Sequence, residues 1–331
     1  MAERPIFVVG YQRSGTTLLQ SLLGAHPRIA APPEIHFWFR IVELHDHWGD
    51  LLDDDRAAAV VHEVLDAPLG MLDDTGFDEA RVLTRFLASD RSYAELLNAL
   101  MTDFAEQHGK QRWSEKTPHQ RPARIWSLLP ESQVLHIVRD PRDVAASEAE
   151  TFHRMPAWRS AERCAHFTTR SIEDAARQPA ESYLRLRYED LASEPAAVMR
   201  SVCDFLGEDF PPDLVTGSRE TTTAIPGDKT PWQSEAAQPI RPPRSSWTSV
   251  LSPRQRALVA AAVDEMLPSI GYAPAPSRLV ATGRLLGPTT WPARWMEHRR
   301  RSRITRTART PAERHAAVRT FMTEQEGRWS S

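Results

Sequence analysis

The stretch Gly10-Tyr11-Gln12-Arg13-Ser14-Gly15-Thr16-Thr17 constrains this chain more than any other, because of what stands on either side of it. Before it comes Ile6-Phe7-Val8-Val9, an apolar run of the kind buried on both faces of a parallel sheet. After it, Leu18, Leu19, Leu22 and Leu23 recur at helical spacing until Gly24 and Pro27 close the pattern. Strand, glycine-bounded turn and helix in that order aim backbone N–H groups and the positive end of a helix dipole at one point, where an anion is held.

The same alternation continues. Residues 134–138 read as a second strand running into Arg139-Asp140-Pro141, and Pro141 suits the first turn of a following helix. Residues 183–187 read as a third, followed by Tyr188-Glu189-Asp190 and a helix over 195–206 with Ser193 as its expected N-cap. Between the first two strands the pattern is mostly helical, near 53–65, 93–108 and 122–128. Strands alternating with helices predict a three-layer α/β/α fold around a central parallel sheet. Residues 211–246, rich in Pro, Thr, Gly and Ser, read as an irregular lid or substrate wall, with a helix over 253–267 beyond. The expected domain is 1–273, and 274–331 is a basic C-terminal extension.

The interval from Gly10 to Gly15 equals that of the nucleotide-binding pattern G-x-x-x-x-G-K-[ST], but Thr16 stands in the lysine position. Without that lysine beside a magnesium ion, nucleoside triphosphate chemistry is disfavoured, and Arg13 supplies a cationic fork inside the loop. A second basic element follows the second strand. Arg139 and Ser147 stand at the spacing R-x-x-x-x-x-x-x-S, which lets a strand-end guanidinium and a helix-borne hydroxyl converge on one phosphate. The plainer reading is a surface ion-pair cluster with Asp140 and Asp143.

Taken together, F-V-V-G-Y-Q-R-S-G-T-T-L-L, L-G-A-H-P-R-I-A and I-V-R-D-P-R-D-V-A-A-S resemble the sulfotransferases that use 3'-phosphoadenosine-5'-phosphosulfate. The arginine in the loop is similar to the branch of tyrosylprotein and bacterial small-molecule sulfotransferases. The resemblance spans about residues 5–272. It implies that Gln12, Arg13, Ser14, Gly15, Thr16 and Thr17 hold the 5'-phosphosulfate, and that Arg139 and Ser147 hold the 3'-phosphate. Arg187-Tyr188-Glu189-Asp190-Leu191 resembles the family segment whose tyrosine lies near the adenine, and Ser114-Glu115-Lys116-Thr117-Pro118 the one with a lysine near the leaving phosphate. A basic loop ahead of Trp247 matches a further donor element, with Arg244 or Arg241 supplying its charge.

The implied reaction is in-line transfer of a sulfuryl group to a hydroxyl or amine, leaving 3'-phosphoadenosine-5'-phosphate. Such a step needs a base for the acceptor proton and cations for the leaving oxygen. Arg13 and Lys116 suit the second task, and no metal is required. For the base two residues stay open: Glu34, which best matches the glutamate of the tyrosylprotein branch, and His36, whose ordinary pKa of about 6.5 suits the task. His45 and His47 flank Asp46 too sparsely for a metal site. Phe37, Trp38, Trp48, Phe152 and Trp158 are candidate walls of the acceptor pocket.

Composition sets the remaining bounds. The 331 residues carry a net charge of -3 with 41% hydrophobic residues, the range of an ordinary globular chain. Only Cys164 and Cys203 are present, so a disulfide framework is not expected and a reducing, cytoplasmic setting is. No apolar run approaches the ~20 residues of a membrane span. Arg299, Arg300, Arg301, Arg303, Arg306 and Arg309 read as a solvated helix face or a tail docked on a neighbouring subunit, rather than a contact for nucleic acid, an anionic membrane or an acidic acceptor. The expected partner is a small-molecule, glycan or lipid acceptor, and a homodimer is left open. Two other functions compete: a P-loop kinase dependent on nucleoside triphosphate, and a non-catalytic nucleotide-binding regulator.

Overall fold

The computed structural model of the chain describes residues 4–32, 35, 51–65, 76–151, 155–216, 240 and 247–287. They fall into two compact units, Met1–Pro32 with Arg112–Thr289 and Pro33–Gln111 with Thr290–Ser331. The first unit holds the described strands: β1 (Ile6–Val9), β2 (Ile29–Ala30), β3 (Arg112–Lys116), β4 (Gln133–Val138) and β5 (Tyr183–Arg187). Helix α1 (Thr16–Ala25) belongs to it too, while α2 (Asp54–Leu65), α3 (Glu79–Leu87) and α4 (Tyr93–Gln107) lie in the second unit. The first unit resumes with α5 (Pro122–Leu128), α6 (Pro141–Thr151), α7 (Ala157–Ala175), α8 (Tyr188–Ser193) and α9 (Pro195–Leu206). It ends with α10 (Trp247–Val250), α11 (Pro253–Val263) and α12 (Ser277–Leu286).

The strands pair in parallel in the order β2-β3-β1-β4-β5, with Ile6 opposite both Ser114 and Gln133. Every residue of β1 and β4 is buried, as suits the apolar run of β1 and the largely apolar β4, where Gln133 and His136 are the polar members, when both faces are covered. On one face Ile6, Val8, Leu135 and Ile137 pack with Leu19, Leu22 and Leu23 of α1 and Met199, Val202 and Cys203 of α9. On the other, Val138 packs with Ala145 and Ala146 of α6, Trp158 and Ala161 of α7, and Val259 and Val263 of α11. This is the three-layer α/β/α arrangement. Trp158 is thus part of the core on that face.

Topology then dictates where a ligand can sit. From β1 the chain crosses through α1 towards β2, whereas from β4 it crosses through α6 and α7 towards β5. Because β1 and β4 are neighbours whose connections diverge, a crevice opens at their C-terminal ends.

Two local expectations are corrected. Ser193 ends α8 rather than capping α9; Glu194 takes the cap position without a side-chain bond, and Pro195 brings no N–H that needs one. Helix α11 stops at Val263, short of the expected residue 267. Helix α3 was not foreseen, although Asp78 caps it by accepting from the Arg81 N–H at 3.0 Å. In the second unit the fully buried Asp103 joins α3 to α4 through Arg81 at 2.8 Å and accepts from Gln107 at 2.6 Å. Among the described residues no helix is long and apolar enough to cross a membrane.

Strand β3 is the least orthodox element, since Arg112-Trp113-Ser114-Glu115-Lys116 is mostly polar yet buried throughout. Several of its polar groups find partners on neighbouring strands and helices. Ser114 Oγ donates to Gln20 Oε1 at 2.9 Å, and Gln20 Nε2 returns a bond to Ser114 O at 3.0 Å. Arg112 donates to Leu206 O, Glu208 Oε1, Arg4 O and Gln133 Oε1 at 2.8–3.0 Å, tying the N-terminal ends of β1, β3 and β4 to the end of α9. Side chains of Arg112 and Glu208 are only 3% and 4% exposed, and Glu208, which also accepts from Arg28 Nε at 2.8 Å, is the carboxylate that offsets the buried Arg112 charge. Glu208→Ala is therefore expected to lower stability by roughly 3 kcal/mol. An earlier urea midpoint at unchanged slope would show this, and an unmoved midpoint would refute the clasp.

His136, in the middle of β4, is fully buried with Nδ1 2.6 Å from Tyr183 Oη and its ring edge-on to Phe167. Burial, with a smaller push from Arg185, lowers its pKa to about 3. In the unfolded chain an imidazole titrates near ~6.5, so below that pH the unfolded state takes a proton that the folded state refuses. Stability that is full above pH ~6.5 should therefore fall towards pH 3 by about 1.4 kcal/mol per unit for this proton. Urea titrations between about pH 6.5 and pH 5, above most carboxylate titration, should show that slope flattened in His136→Phe; an unchanged slope would assign it to other groups.

Candidate functional site

The turn after β1 is shaped by two glycines that leave no room for a side chain. A Cβ on Gly10 would stand 2.7 Å from Ile137 O, and one on Gly15 would stand 2.5 Å from Cδ2 of Tyr188. Gly15 also has φ +95°, a left-handed backbone that L side chains rarely adopt. Arg13 shares that region at φ 63° without being glycine, the kind of local strain that accumulates at binding sites. Ser14 N donates to Tyr11 O at 3.1 Å to close the turn. Helix α1 then begins with no side-chain cap at Gly15, so its first N–H groups remain directed at the turn.

Around this turn the sheet assembles residues from four strand ends. Arg139, just past β4, donates from Nη1 to Arg13 O at 3.0 Å, and its guanidinium lies 4.6 Å from the centre of the Tyr188 ring. Arg13 donates from Nε to Ser147 Oγ on α6 at 3.0 Å. Lys116, at the end of β3, places Nζ 3.4 Å from Thr17 Oγ1 and is 9% exposed. Tyr188 follows β5 and covers Gly15. Gln12, Arg13, Ser14, Gly15, Thr16, Thr17, Lys116, Arg139, Ser147 and Tyr188 thus come together from separate parts of the sequence. Glu34, His36 and Arg244 lie outside the described residues, as do Phe37, Trp38, Trp48 and Phe152.

The acids beside Arg139 are engaged elsewhere, against the ion-pair reading. Asp140 accepts a fork from Arg142, with Nη2 at 2.6 Å, and Asp143 Oδ1 accepts from the Trp247 N–H at 2.9 Å. Among the described residues Arg139 has no carboxylate partner. The Trp247 contact, with Arg142 stacked 5.1 Å from its ring centre, fastens the start of α10 to the helix that carries Ser147.

Sequence reading missed the supports. Glu189 Oε1 accepts from the Asp140 N–H at 3.0 Å, and Tyr272 Oη donates to Glu189 Oε2 at 2.8 Å, bracing the turn after β4. Glu148, next to Ser147, is 6% exposed and accepts from Gln12 Nε2 and from Ser160 Oγ. His119 Nε2 lies 3.3 Å from Gln12 Oε1, and its ring meets Tyr11 edge-on at 4.7 Å. A sequence signal for Glu148 existed: a carboxylate beside a presumed anion ligand is anomalous unless it holds something. Cys164 is fully buried, and burial, then Glu148 and Asp140, push its thiol pKa up, so it is an inert packing residue.

Comparisons with known proteins bear on the family and the fold. A family model described as Sulfotransferase family matches residues 5–212. The nodulation protein NoeE of Sinorhizobium fredii (strain NBRC 101917 / NGR234) is 31% identical over 159 residues, 44% of this chain and 31% of that protein. The chain therefore spans about a third of that relative's length. Among solved structures, the sulfotransferase domain of the Synechococcus PCC 7002 olefin synthase aligns with TM-score 0.51 at 24% identity, covering 76% of this chain and 89% of that one. The sulfotransferase domain from the curacin biosynthetic pathway aligns with TM-score 0.53 at 19% identity, covering 82% and 98%. At these identities the two structures speak for the fold alone.

The close approach of Tyr188 to Gly15 is testable by itself. Gly15→Ala is expected to destabilise by roughly 2 kcal/mol, part from left-handed strain and part from collision with the ring. Only the second part should disappear when the same substitution is made in Tyr188→Ala, as read by a double-mutant cycle of unfolding midpoints. Equal losses in both backgrounds would show that the ring does not press on the turn.

Proposed function

Since the chain belongs to the sulfotransferase family, we propose that it transfers a sulfuryl group from 3'-phosphoadenosine-5'-phosphosulfate to a hydroxyl or amine of a small molecule, glycan or lipid. The observation that carries this reading is the convergence of Arg139 and Ser147 on the turn Gly10–Thr17, two anion sites side by side at the β1/β4 switch. A donor with phosphates at both its 3' and 5' positions suits that pair. The residues fit it: Ser14 is 1% exposed, and its hydroxyl has no hydrogen-bond partner among the described residues, the condition of a group suited to a ligand. Thr16 in place of a lysine weighs against a nucleoside triphosphate.

In this reading the acceptor oxygen attacks sulfur in line, the bond from sulfur to the bridging oxygen breaks, and 3'-phosphoadenosine-5'-phosphate leaves. Charge grows on that bridging oxygen, and Lys116 and Arg13 are the cations assigned to it. The first N–H groups of α1 hold the 5'-phosphate. Arg139, already stacked on Tyr188, takes the 3'-phosphate with Ser147, and Tyr188 borders the adenine. Glu34 takes the acceptor proton, with His36 as the other contender. No triphosphate needs clamping, so the step is written without a metal. The transferase domain is assigned to 1–273, with 211–246 as lid or acceptor wall, in a cytoplasmic protein.

Calorimetry tests the donor side. The chain should bind 3'-phosphoadenosine-5'-phosphate without magnesium and bind ATP with magnesium far more weakly. Tight ATP binding with no bisphosphate binding would overturn the reading. Arg139→Ala should weaken the bisphosphate by roughly 30-fold, the loss of a charge-assisted contact, and adenosine 5'-phosphosulfate by less than about threefold. Equal losses would refute the 3'-phosphate role.

A further inference from the structure

Two consecutive residues of α6 reach two consecutive residues of the anion-binding turn: Ser147 meets Arg13, and Glu148 meets Gln12. The first pair belongs to the donor site proposed above. The second is harder to explain, because Glu148 brings negative charge beside a place that is to hold phosphates. Like charges at such range oppose binding. A carboxylate retained there needs a task that outweighs the repulsion.

Its hydrogen bonds suggest the task. As a carboxylate it only accepts, and its two oxygens are taken by two donors, the Gln12 amide and the Ser160 hydroxyl, with Ser160 1% exposed on α7. Gln12 is thereby fixed at both ends, its NH2 on Glu148 and its Oε1 3.3 Å from His119 Nε2. An amide held this way cannot flip, and the residue it fixes precedes Arg13, whose φ of 63° is the strained point of the turn. The strain has to be sustained by neighbouring contacts, and the Gln12 side chain adds one to the bonds that Arg13 makes with Arg139 and Ser147.

We propose that Glu148 is a positioning residue: backed by Ser160 and acting through the Gln12 carboxamide, it holds the Gly10–Thr17 turn in the form that binds the phosphates of the donor. It touches neither donor nor acceptor. This assignment rests on the donor reading given above, and it differs from a merely structural role in requiring hydrogen-bond geometry rather than charge.

The experiment is calorimetric binding of 3'-phosphoadenosine-5'-phosphate to the full chain and to Glu148→Ala, Glu148→Gln, Gln12→Ala and the double variant Gln12→Ala/Glu148→Ala. Glu148→Ala should bind about tenfold more weakly, as should Gln12→Ala, and the double variant little worse than either. Glu148→Gln keeps an acceptor for Gln12 and turns its NH2 to the Ser160 oxygen while removing the charge, so its binding should equal or exceed that of the parent chain. Unfolding midpoints accompany each variant. If Glu148→Ala does not fold, Gln12→Ala and Glu148→Gln still decide the matter. Glu148→Gln binding as weakly as Glu148→Ala, Gln12→Ala binding like the parent, or fully multiplying losses in the double variant would each overturn the assignment while the donor reading stood. A parent chain that bound no bisphosphate would bring down the donor reading, and this assignment with it.

Discussion

The turn after β1 runs so close to β4 that a single added carbon at Gly10 would collide with Ile137 O. That proximity follows from placing β1 in the middle of the sheet with β4 hydrogen-bonded beside it. It brings the helix start of α1 within reach of whatever follows β4, here Arg139 and then Ser147 one helix later. Were the turn lifted away to admit a side chain, Arg139 could not reach Arg13 O, and Tyr188 could not lie over Gly15. The turn, Arg139 and Tyr188 are thus one object, defined by the packing of a backbone against its neighbour.

The charges around this object are sorted by pairing. Asp140 and Asp143 stand beside Arg139 in the sequence, yet each is satisfied by another group, Arg142 and the Trp247 N–H. Glu189 faces the Asp140 N–H and the Tyr272 hydroxyl. Acidic residues are therefore used as fasteners for backbone and for neighbouring cations, which leaves the Arg139 guanidinium to an aromatic ring and a carbonyl. A guanidinium so placed is only weakly neutralised and well oriented, the condition in which arginine binds phosphate best.

What could be read in advance divides along a physical line. Strands β1 and β4 were legible because largely apolar runs bounded by Gly, Pro or charged turns carry their own signature, β5 because Leu184 and Leu186 alternate with arginines, and the placing of Arg139 and Ser147 followed from spacing within one strand–helix corner. Strand β3 was not, because Arg112, Ser114, Glu115 and Lys116 look like a loop until Arg112, Ser114 and Lys116 meet partners on α1, α9 and β4. The same holds for Glu148, Ser160 and His119, whose meaning depends on contacts between residues far apart in sequence. Periodicity reports burial of apolar faces; it is silent on polar groups that are buried by being matched. Glu34, His36 and Arg244 stand on stretches outside the described residues, so for them spacing remains the whole argument.

The clasp of Arg112 and Glu208 gathers the N-terminal ends of the strands, and the turn Gly10–Thr17 with Lys116 and Arg139 gathers their C-terminal ends. A strand of five or six residues separates the two by on the order of 15–20 Å. Durability and the proposed recognition thus fall at opposite poles of the same sheet. Under the proposed function, the pole that keeps the sheet assembled takes no part in choosing what is bound. For anyone wishing to redirect such a chain to a new acceptor, the lower rim is the part to leave untouched.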